Sequence, residues 1–232
     1  MSDEVILTVK DVSVSFGEKK VIDSVNFELQ KNENLAILGP NGAGKTTLFK
    51  ALLGLVPYDG EITWGKDVKL SYLPSQGFLQ DAKDLPLTVM DFFALKNISI
   101  DKVKDMLHNV GLHDDVLYKN FTTLSTGQFQ RMLIAWTLVD DANVILFDEP
   151  ISGIDIEGQK VIYDLLHKFW QEKKLTILMI SHDLNIVWEH ANRVLCLGSG
   201  HTCFGAPHTV LTPEALEDIY GTGIKFYEHK HK

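Results

Sequence analysis

Apolar and polar positions change their period twice along this chain. Val5 to Val9, Val12 to Phe16 and Val25 to Leu29 alternate apolar with polar residues and are rich in β-branched side chains, the period-two pattern of strands with one buried face. Gly17-Glu18 and Lys31-Asn32 lie between them as turn signals, so the segment predicts an antiparallel layer. Glu61 to Trp64, bracketed by Asp59-Gly60 and Gly65-Lys66, reads as a further short strand of that layer. From about Leu79 to Ser125 the period becomes helical, with Val89, Phe92, Phe93 and Leu95, then Val103, Met106, Leu107 and Val110, and Gly111 as a stop. Beyond it, continuously apolar strands alternate with helices: helix Gln128 to Leu138, strand Val144 to Phe147, helix Gly158 to Trp170, strand Leu175 to Ile180, helix Leu184 to Ala191. Strands apolar on both faces and separated by helices predict a parallel sheet covered on both sides. Arg193 to Leu197 and His201 to Phe204 predict a terminal hairpin around Gly198-Ser199-Gly200.

The 232 residues suffice for one domain with an inserted subdomain. The expected organisation is a core of 1–78 and 126–210, a helical subdomain at 79–125, and a C-terminal helix with a His-bearing tail at 211–232. No apolar run approaches the roughly 18 residues of a membrane span, and the start Met1-Ser2-Asp3-Glu4 is acidic rather than signal-like. The expectation is a chain that stays inside the cell. There, Cys196 and Cys203 are expected to be free thiols without a structural role. A formal net charge of −9 argues against a surface that follows nucleic-acid phosphates, so no nucleic-acid partner is expected. Any anion site must therefore be local.

Such a site is written at 39 to 46. Gly39-Pro40-Asn41-Gly42-Ala43-Gly44-Lys45-Thr46 fits the phosphate-loop pattern G-x-x-x-x-G-K-[ST]; it follows the apolar run Leu35 to Leu38 and precedes the helix-forming Thr47 to Leu53. Glycines let the backbone curl so that several N–H groups face one point, and a helix start adds its positive dipole end there. Lys45 is suited to neutralise β- and γ-phosphates. The Thr46 hydroxyl is a hard oxygen of the kind Mg2+ prefers, and Thr47 continues the same helix start. The loop alone serves kinases, GTPases and motors alike.

The motifs that follow narrow this. Leu124-Ser125-Thr126-Gly127-Gln128-Phe129-Gln130-Arg131 resembles the L-S-G-G-Q-x-Q-R signature of ATP-binding cassette ATPases and precedes Val144 to Glu149, an apolar strand ending in Asp148-Glu149. Phe16 stands at the adenine-stacking position, Gln76 follows a strand, Ser152 to Asp155 resembles the S-A-L-D loop, and His182 sits in Ser181-His182-Asp183 at the switch-histidine position. The resemblance spans nearly the whole chain. It implies an α/β fold with a phosphate-loop nucleotide-hydrolase core, an N-terminal antiparallel β layer and an inserted helical subdomain.

It also implies the chemistry. Asp148, with Thr46 and Gln76, would hold the Mg2+ shell; Glu149 would orient or deprotonate the attacking water; His182 would hydrogen-bond the γ-phosphate. In this family the signature caps the nucleotide of the opposite subunit, which implies a homodimer with two ATP molecules at its interface. Ser125, Thr126, Gly127 and Gln128 of one copy would then face the loop of the other, and Asp155 would connect the two sites. This chain departs from the pattern twice. Thr126 replaces a glycine, which requires an ordinary backbone there, and Tyr72-Leu73-Pro74-Ser75-Gln76 has one residue more than usual between proline and glutamine. Tyr72 is expected to pack.

Asp84 to Val89, Pro150 to Asp155 with Gly158-Gln159, and Leu211 to Gly221 look like the ATP-binding subunits of zinc and manganese importers, as does the tail Glu228-His229-Lys230-His231-Lys232. The resemblance implies a separate integral-membrane permease, an extracytoplasmic metal-binding protein working through it, and a peripheral location on the cytoplasmic face of the bacterial inner membrane. A short permease helix would dock near Gln76 to Phe93, with Phe78, Leu79, Phe92 and Phe93 as candidate contacts or as subdomain core. Importers of iron chelates or vitamins, and a soluble cassette ATPase of iron-sulfur assembly, remain open. His229 and His231 could bind a metal or be solvated, and Cys196, His201 and Cys203 could be ligands or merely alternate along a hairpin.

Overall fold

The computed structural model describes residues 4–75, 83–151, 156–198 and 202–221. The chain divides into two compact units, one of residues up to Lys66 and from Met179 onward, the other running from Asp67 to Leu178.

In the first unit β1 (Val5–Phe16), β2 (Lys19–Gln30) and β4 (Asp59–Trp64) form an antiparallel sheet in the order β2-β1-β4. The sequence suggests two strands before Gly17, whereas β1 is continuous. Between Val9 and Val12 its register with β2 shifts, and Asp11 there has φ 50°, so the apparent break is a bulge that re-aims the alternation. β3 (Asn34–Leu38) is buried at every residue and pairs in parallel with β8 (Arg193–Leu197) from Leu35↔Arg193 to Leu38↔Cys196. It leads through the 39–44 loop into α1 (Lys45–Leu52).

β8 turns back antiparallel into β9 (Thr202–Gly205), as the sequence predicts. The register sets Cys196 opposite Cys203, their Cα atoms 4.8 Å apart, and the two sulfurs are joined in a disulfide. The expectation of free thiols is thus corrected. Cross-strand neighbours this close lie within the ~4.4–6.8 Å a disulfide spans, so the hairpin register brings the pair within bonding reach. α6 (Leu184–His190), the short α7 (Pro207–Val210) and α8 (Pro213–Tyr220) complete the unit. Leu216 and Ile219 of α8 pack with Leu211 on Ala36, Leu38, Val194 and Cys196, so the C-terminal helix seals one face of the strand that carries the loop.

In the second unit β5 (Leu70–Leu73) and β6 (Val144–Asp148) pair in parallel, Leu70↔Val144 to Leu73↔Phe147. α2 (Val89–Ala94), α3 (Ile100–Asn109) and two 3-10 turns at Asp114–Tyr118 and Phe121–Thr123 make up the helical stretch. Thr88 caps α2 through a reciprocal capping box with Asp91, and Gly111, at φ 73°, lies just past α3. α4 (Thr126–Leu138) and α5 (Ile156–Lys173) follow, and β7 (Thr176–Ile180), wholly buried, carries the chain from this unit into the other. Phe92 stacks on Trp136 at 4.9 Å and meets Phe121 edge-on at 5.2 Å. The Lys96 ammonium lies 3.6 Å from the centre of the Trp136 ring and binds the Trp136 carbonyl and Asp140. These contacts fasten the helical stretch to α4. Burial assigns Phe93, 2% exposed, to the core rather than to a partner surface; exposed apolar side chains of this stretch include Leu85, Met90, Leu95, Ile100 and Tyr118. Phe78 and Leu79 lie outside the described residues. Among the described residues no helix is long and apolar enough to cross a membrane.

Candidate functional site

The phosphate loop begins where β3 ends, and its first residue can only be glycine. A Cβ on Gly39 would stand 2.1 Å from the Leu197 carbonyl oxygen at the end of β8, which no side chain tolerates. Gly44, the N-cap of α1 at φ 93°, is pressed against β2, where a Cβ would meet Ile22 at 3.0 Å and the Val21 carbonyl at 3.1 Å. Between them Pro40, Asn41, Gly42 and Ala43 make the curl, closed by the Ala43 N–H donating to the Pro40 carbonyl at 3.2 Å. The Lys45 side chain, 6% exposed, folds over this curl and donates to the Gly39 and Pro40 carbonyls at 2.8 and 3.0 Å. Its charge is therefore fixed at the concavity, beside the α1 start where Thr46 and Thr47 follow. A cradle of loop amides, a helix N-terminus and a localised ammonium is suited to a polyphosphate.

Two other predicted residues belong to this unit. Phe16 closes β1, paired with Lys19 across the hairpin, and is 52% exposed. Because Gly44 packs on Val21 and Ile22, a few residues along the same strand from Lys19, the hairpin that carries Phe16 adjoins the loop. His182 lies just beyond β7 on an exposed turn. Buried Ser181 donates its N–H to the Ile37 carbonyl, and Asp183 receives the Asn185 and Ile186 amides as N-cap of α6. The turn is therefore anchored at the carboxyl end of β3, the edge at which open α/β sheets bind ligands.

In the second unit Asp148 ends β6 with no exposed surface. Its Oδ2 accepts a hydrogen bond of 3.5 Å from the Tyr72 hydroxyl on β5. Burial first, and then the nearby Asp148 charge, push the Tyr72 phenol far above its ordinary pKa, so it stays a donor. The packing role expected of Tyr72 is incomplete. Parallel pairing sets Tyr72 against Leu146, and Asp148, two residues on, shares that face; this juxtaposition becomes visible only once the strands are aligned. Glu149 takes φ 53°, a left-handed conformation uncommon for a residue with a side chain. The strand geometry ends there, so Glu149 does not follow the period-two alternation that places Asp148. Pro150 follows, and its carbonyl accepts from Gln130, a side chain 2% exposed on α4.

α4 is the helix of the signature motif. It starts at Thr126, two residues earlier than its apolar periodicity suggests. Ser125 is the N-cap: its Oγ accepts from the Gln128 N–H at 3.2 Å, and Gln128 Oε1 accepts from the Ser125 N–H at 3.1 Å. Thr126 occupies the first helical position without positive φ, the ordinary backbone its β-branch demands. Gly127 is different from Gly39, since nothing lies within 4 Å of where its Cβ would be. Gln76 and Asp155 lie outside the described residues, as do His201, His229 and His231.

A family model described as ABC transporter matches residues 22–152. The chain is 36% identical over 97% of its length to the zinc import ATP-binding protein of Pasteurella multocida, covering 87% of that protein. It is 32% identical over its full length to the protein of the same name from Hydrogenovibrio crunogenus, covering 95% of it. The chain belongs to the ABC transporter family. It is one of that family's ATP-binding, ATP-hydrolysing cassettes. Its fold matches a subunit of a putative metal-chelate type ABC transporter in an inward-facing conformation, with a TM-score of 0.79 and 27% identity over 94% of this chain and 89% of the other. The parallel-sheet core, antiparallel layer and helical insertion expected from the sequence are those of the family.

Proposed function

We propose that this cassette is the nucleotide-binding subunit of an importer for a divalent metal ion, zinc or manganese, working on a separate membrane-embedded permease. What carries the reading is the end-to-end likeness to proteins named zinc import ATP-binding proteins, 32–36% identical over at least 97% of this chain. The metal is cargo here.

In this reading Phe16 stacks on adenine, while Gly39, Pro40, Asn41, Gly42, Ala43, Gly44, Lys45, Thr46 and Thr47 receive the phosphates. The Thr46 hydroxyl and the Asp148 carboxylate are hard oxygens of the type Mg2+ selects, and a carboxylate as deeply buried as Asp148 keeps its charge best next to a cation. When bound, Mg2+ neutralises charge on the β- and γ-phosphates. Gln76 completes that oxygen set, Glu149 accepts the proton of the attacking water, and His182 donates to the γ-phosphate. Ser125, Thr126, Gly127 and Gln128 of a second copy supply α4 amides to the same phosphates, and Asp155 links the two sites. The homodimer therefore contains two composite sites. Its seat is the cytoplasmic face of the inner membrane, where the exposed Leu85 and Met90 offer apolar contact to the permease. An extracytoplasmic metal-binding protein delivers the ion to that permease.

The test is reconstitution of the chain with its permease in lipid vesicles. ATP turnover is expected to rise when zinc- or manganese-loaded binding protein is enclosed, and not with the metal-free form. Stimulation by an iron chelate or a vitamin instead, or recovery of the chain only with soluble iron-sulfur assembly proteins, would overturn the reading.

A further inference from the structure

Tyr72 is absent from the family's chemistry as read from the motifs, yet its one polar atom is directed at the most deeply buried carboxylate of the site. β5 and β6 pair in parallel with Tyr72 against Leu146, so Tyr72 and Asp148 share a face on adjacent strands. The hydroxyl reaches Asp148 Oδ2 at 3.5 Å, longer than the ~2.5–3.0 Å of a strong O–H···O bond and so a weak contact that a small shift would tighten. β5 takes its place from its parallel pairing with β6, and the Ser71 hydroxyl, on the opposite face, adds a hydrogen bond of 3.0 Å to the Thr137 carbonyl of α4. The same helix grips the other side of the acidic pair through Gln130 and the Pro150 carbonyl. Asp148 thus lies on a strand whose neighbour and whose exit loop are both tied to the signature helix. A phenylalanine would fill the space of the Tyr72 ring equally well. It would not bring the hydroxyl that donates to the carboxylate.

We propose that Tyr72 is a positioning residue that sets the orientation of the Asp148 carboxylate toward the divalent cation accompanying the nucleotide; this rests on the reading of Asp148 as that cation's ligand. Outer partners of ligating carboxylates typically contribute 10- to 100-fold to metal affinity, and the length of this bond places it at the low end. The quantity to measure is the gain in affinity for a fluorescent, non-hydrolysable ATP analogue on adding Mg2+, using the full chain. Tyr72→Phe is expected to cut that gain about tenfold while leaving the Mg2+-free affinity and the melting midpoint close to wild type. Asp148→Asn should abolish the gain. Ser71→Ala, which removes a buried hydroxyl of the same strand, should leave it intact. An unchanged gain in Tyr72→Phe beside a lost gain in Asp148→Asn overturns the role of Tyr72 alone, as does an equal fall in Ser71→Ala. A gain that survives Asp148→Asn overturns the assignment of Asp148, and the Tyr72 proposal with it.

Discussion

The phosphate loop and the signature-helix region, each proposed to present groups to a nucleotide, are built by opposite means. In the loop the backbone is the instrument, and glycines stand where neighbouring backbone leaves no room: Gly39 under the Leu197 carbonyl, Gly44 against Val21. Around Asp148 and Glu149 the instrument is the side chain. Tyr72 bonds the carboxylate, Gln130 bonds the Pro150 carbonyl, and the Ser125–Gln128 box fixes the start of α4. In the loop, Gly39 and Gly44 cannot take a side chain without displacing their neighbours, and the same backbone fixes Lys45. Side-chain sites disperse their support over residues distant in sequence, so they fail by degrees.

The largest effect should come from the side-chain region, at the residue proposed as general base. Glu149→Gln keeps the shape and hydrogen-bonding capacity of the side chain but removes its basicity. General-base removal typically costs ~10²- to 10⁴-fold, so turnover is expected to fall by about three orders of magnitude while ATP binding persists, measured by single-turnover kinetics beside equilibrium binding. Normal turnover would move the base elsewhere.

Gly39→Ala tests the opposite strategy. Its Cβ would meet backbone rather than a side chain able to swing away, so β3 or β8 must move. Overpacking of this kind costs about 1–3 kcal/mol, and nucleotide affinity is expected to drop more than tenfold, because the displaced residue is the one whose carbonyl holds Lys45. A variant that melts and binds like wild type would mean that the close approach to Leu197 does not shape the loop.

Gln130→Ala takes support from the acidic pair without touching it. The Pro150 carbonyl would lose a buried donor, a loss of about 1–3 kcal/mol in denaturant titrations. Turnover should fall several-fold with ATP affinity unchanged, because the loop that follows Glu149 loses its tether and the phosphate loop does not.

These cases show what was legible beforehand. Glycine spacing is local, so the loop at 39 to 46 could be read residue by residue, and the capping box of α4 lies within four residues of sequence. The periodicities marked most strands and helices but not the bulge at Asp11, where β1 continues through an apparent break, nor the first half of β2, nor the short α7. Tyr72 and Asp148 are neighbours only through the β5–β6 register, and no periodicity announces a hydroxyl aimed at a carboxylate. Phe92 and Phe93 could each be read as contact or core until the packing of the Phe92 ring on Trp136 and Phe121 and the burial of Phe93 decided it. The Cys196–Cys203 pair was misread because the inference ran from compartment to redox state and passed over hairpin register. Reducing that disulfide is expected to lower stability by about 2 kcal/mol, as for a short closed loop, in a melt with and without reductant. No shift would show that the hairpin is held by Cys196 burial alone.

The smallest expected change in stability is the one that sharpens the comparison most. Gly127 lies in the first turn of α4 without positive φ, and its missing Cβ would meet nothing within 4 Å. By the logic that makes Gly39 obligatory, Gly127 has no reason within the chain to be glycine. Gly127→Ala should therefore be neutral or stabilise the isolated chain by about 0.5–1 kcal/mol, the usual helix gain of alanine over glycine. If a second copy brings its nucleotide against this turn, the added methyl stands between helix amides and phosphate. Turnover, and ATP-dependent dimer formation in sedimentation, should then fall while monomer ATP binding is unchanged. A variant more stable and equally active would place the signature glycine outside any phosphate contact; one more stable and less active would identify an open position reserved for a ligand that the chain's own phosphate loop does not hold.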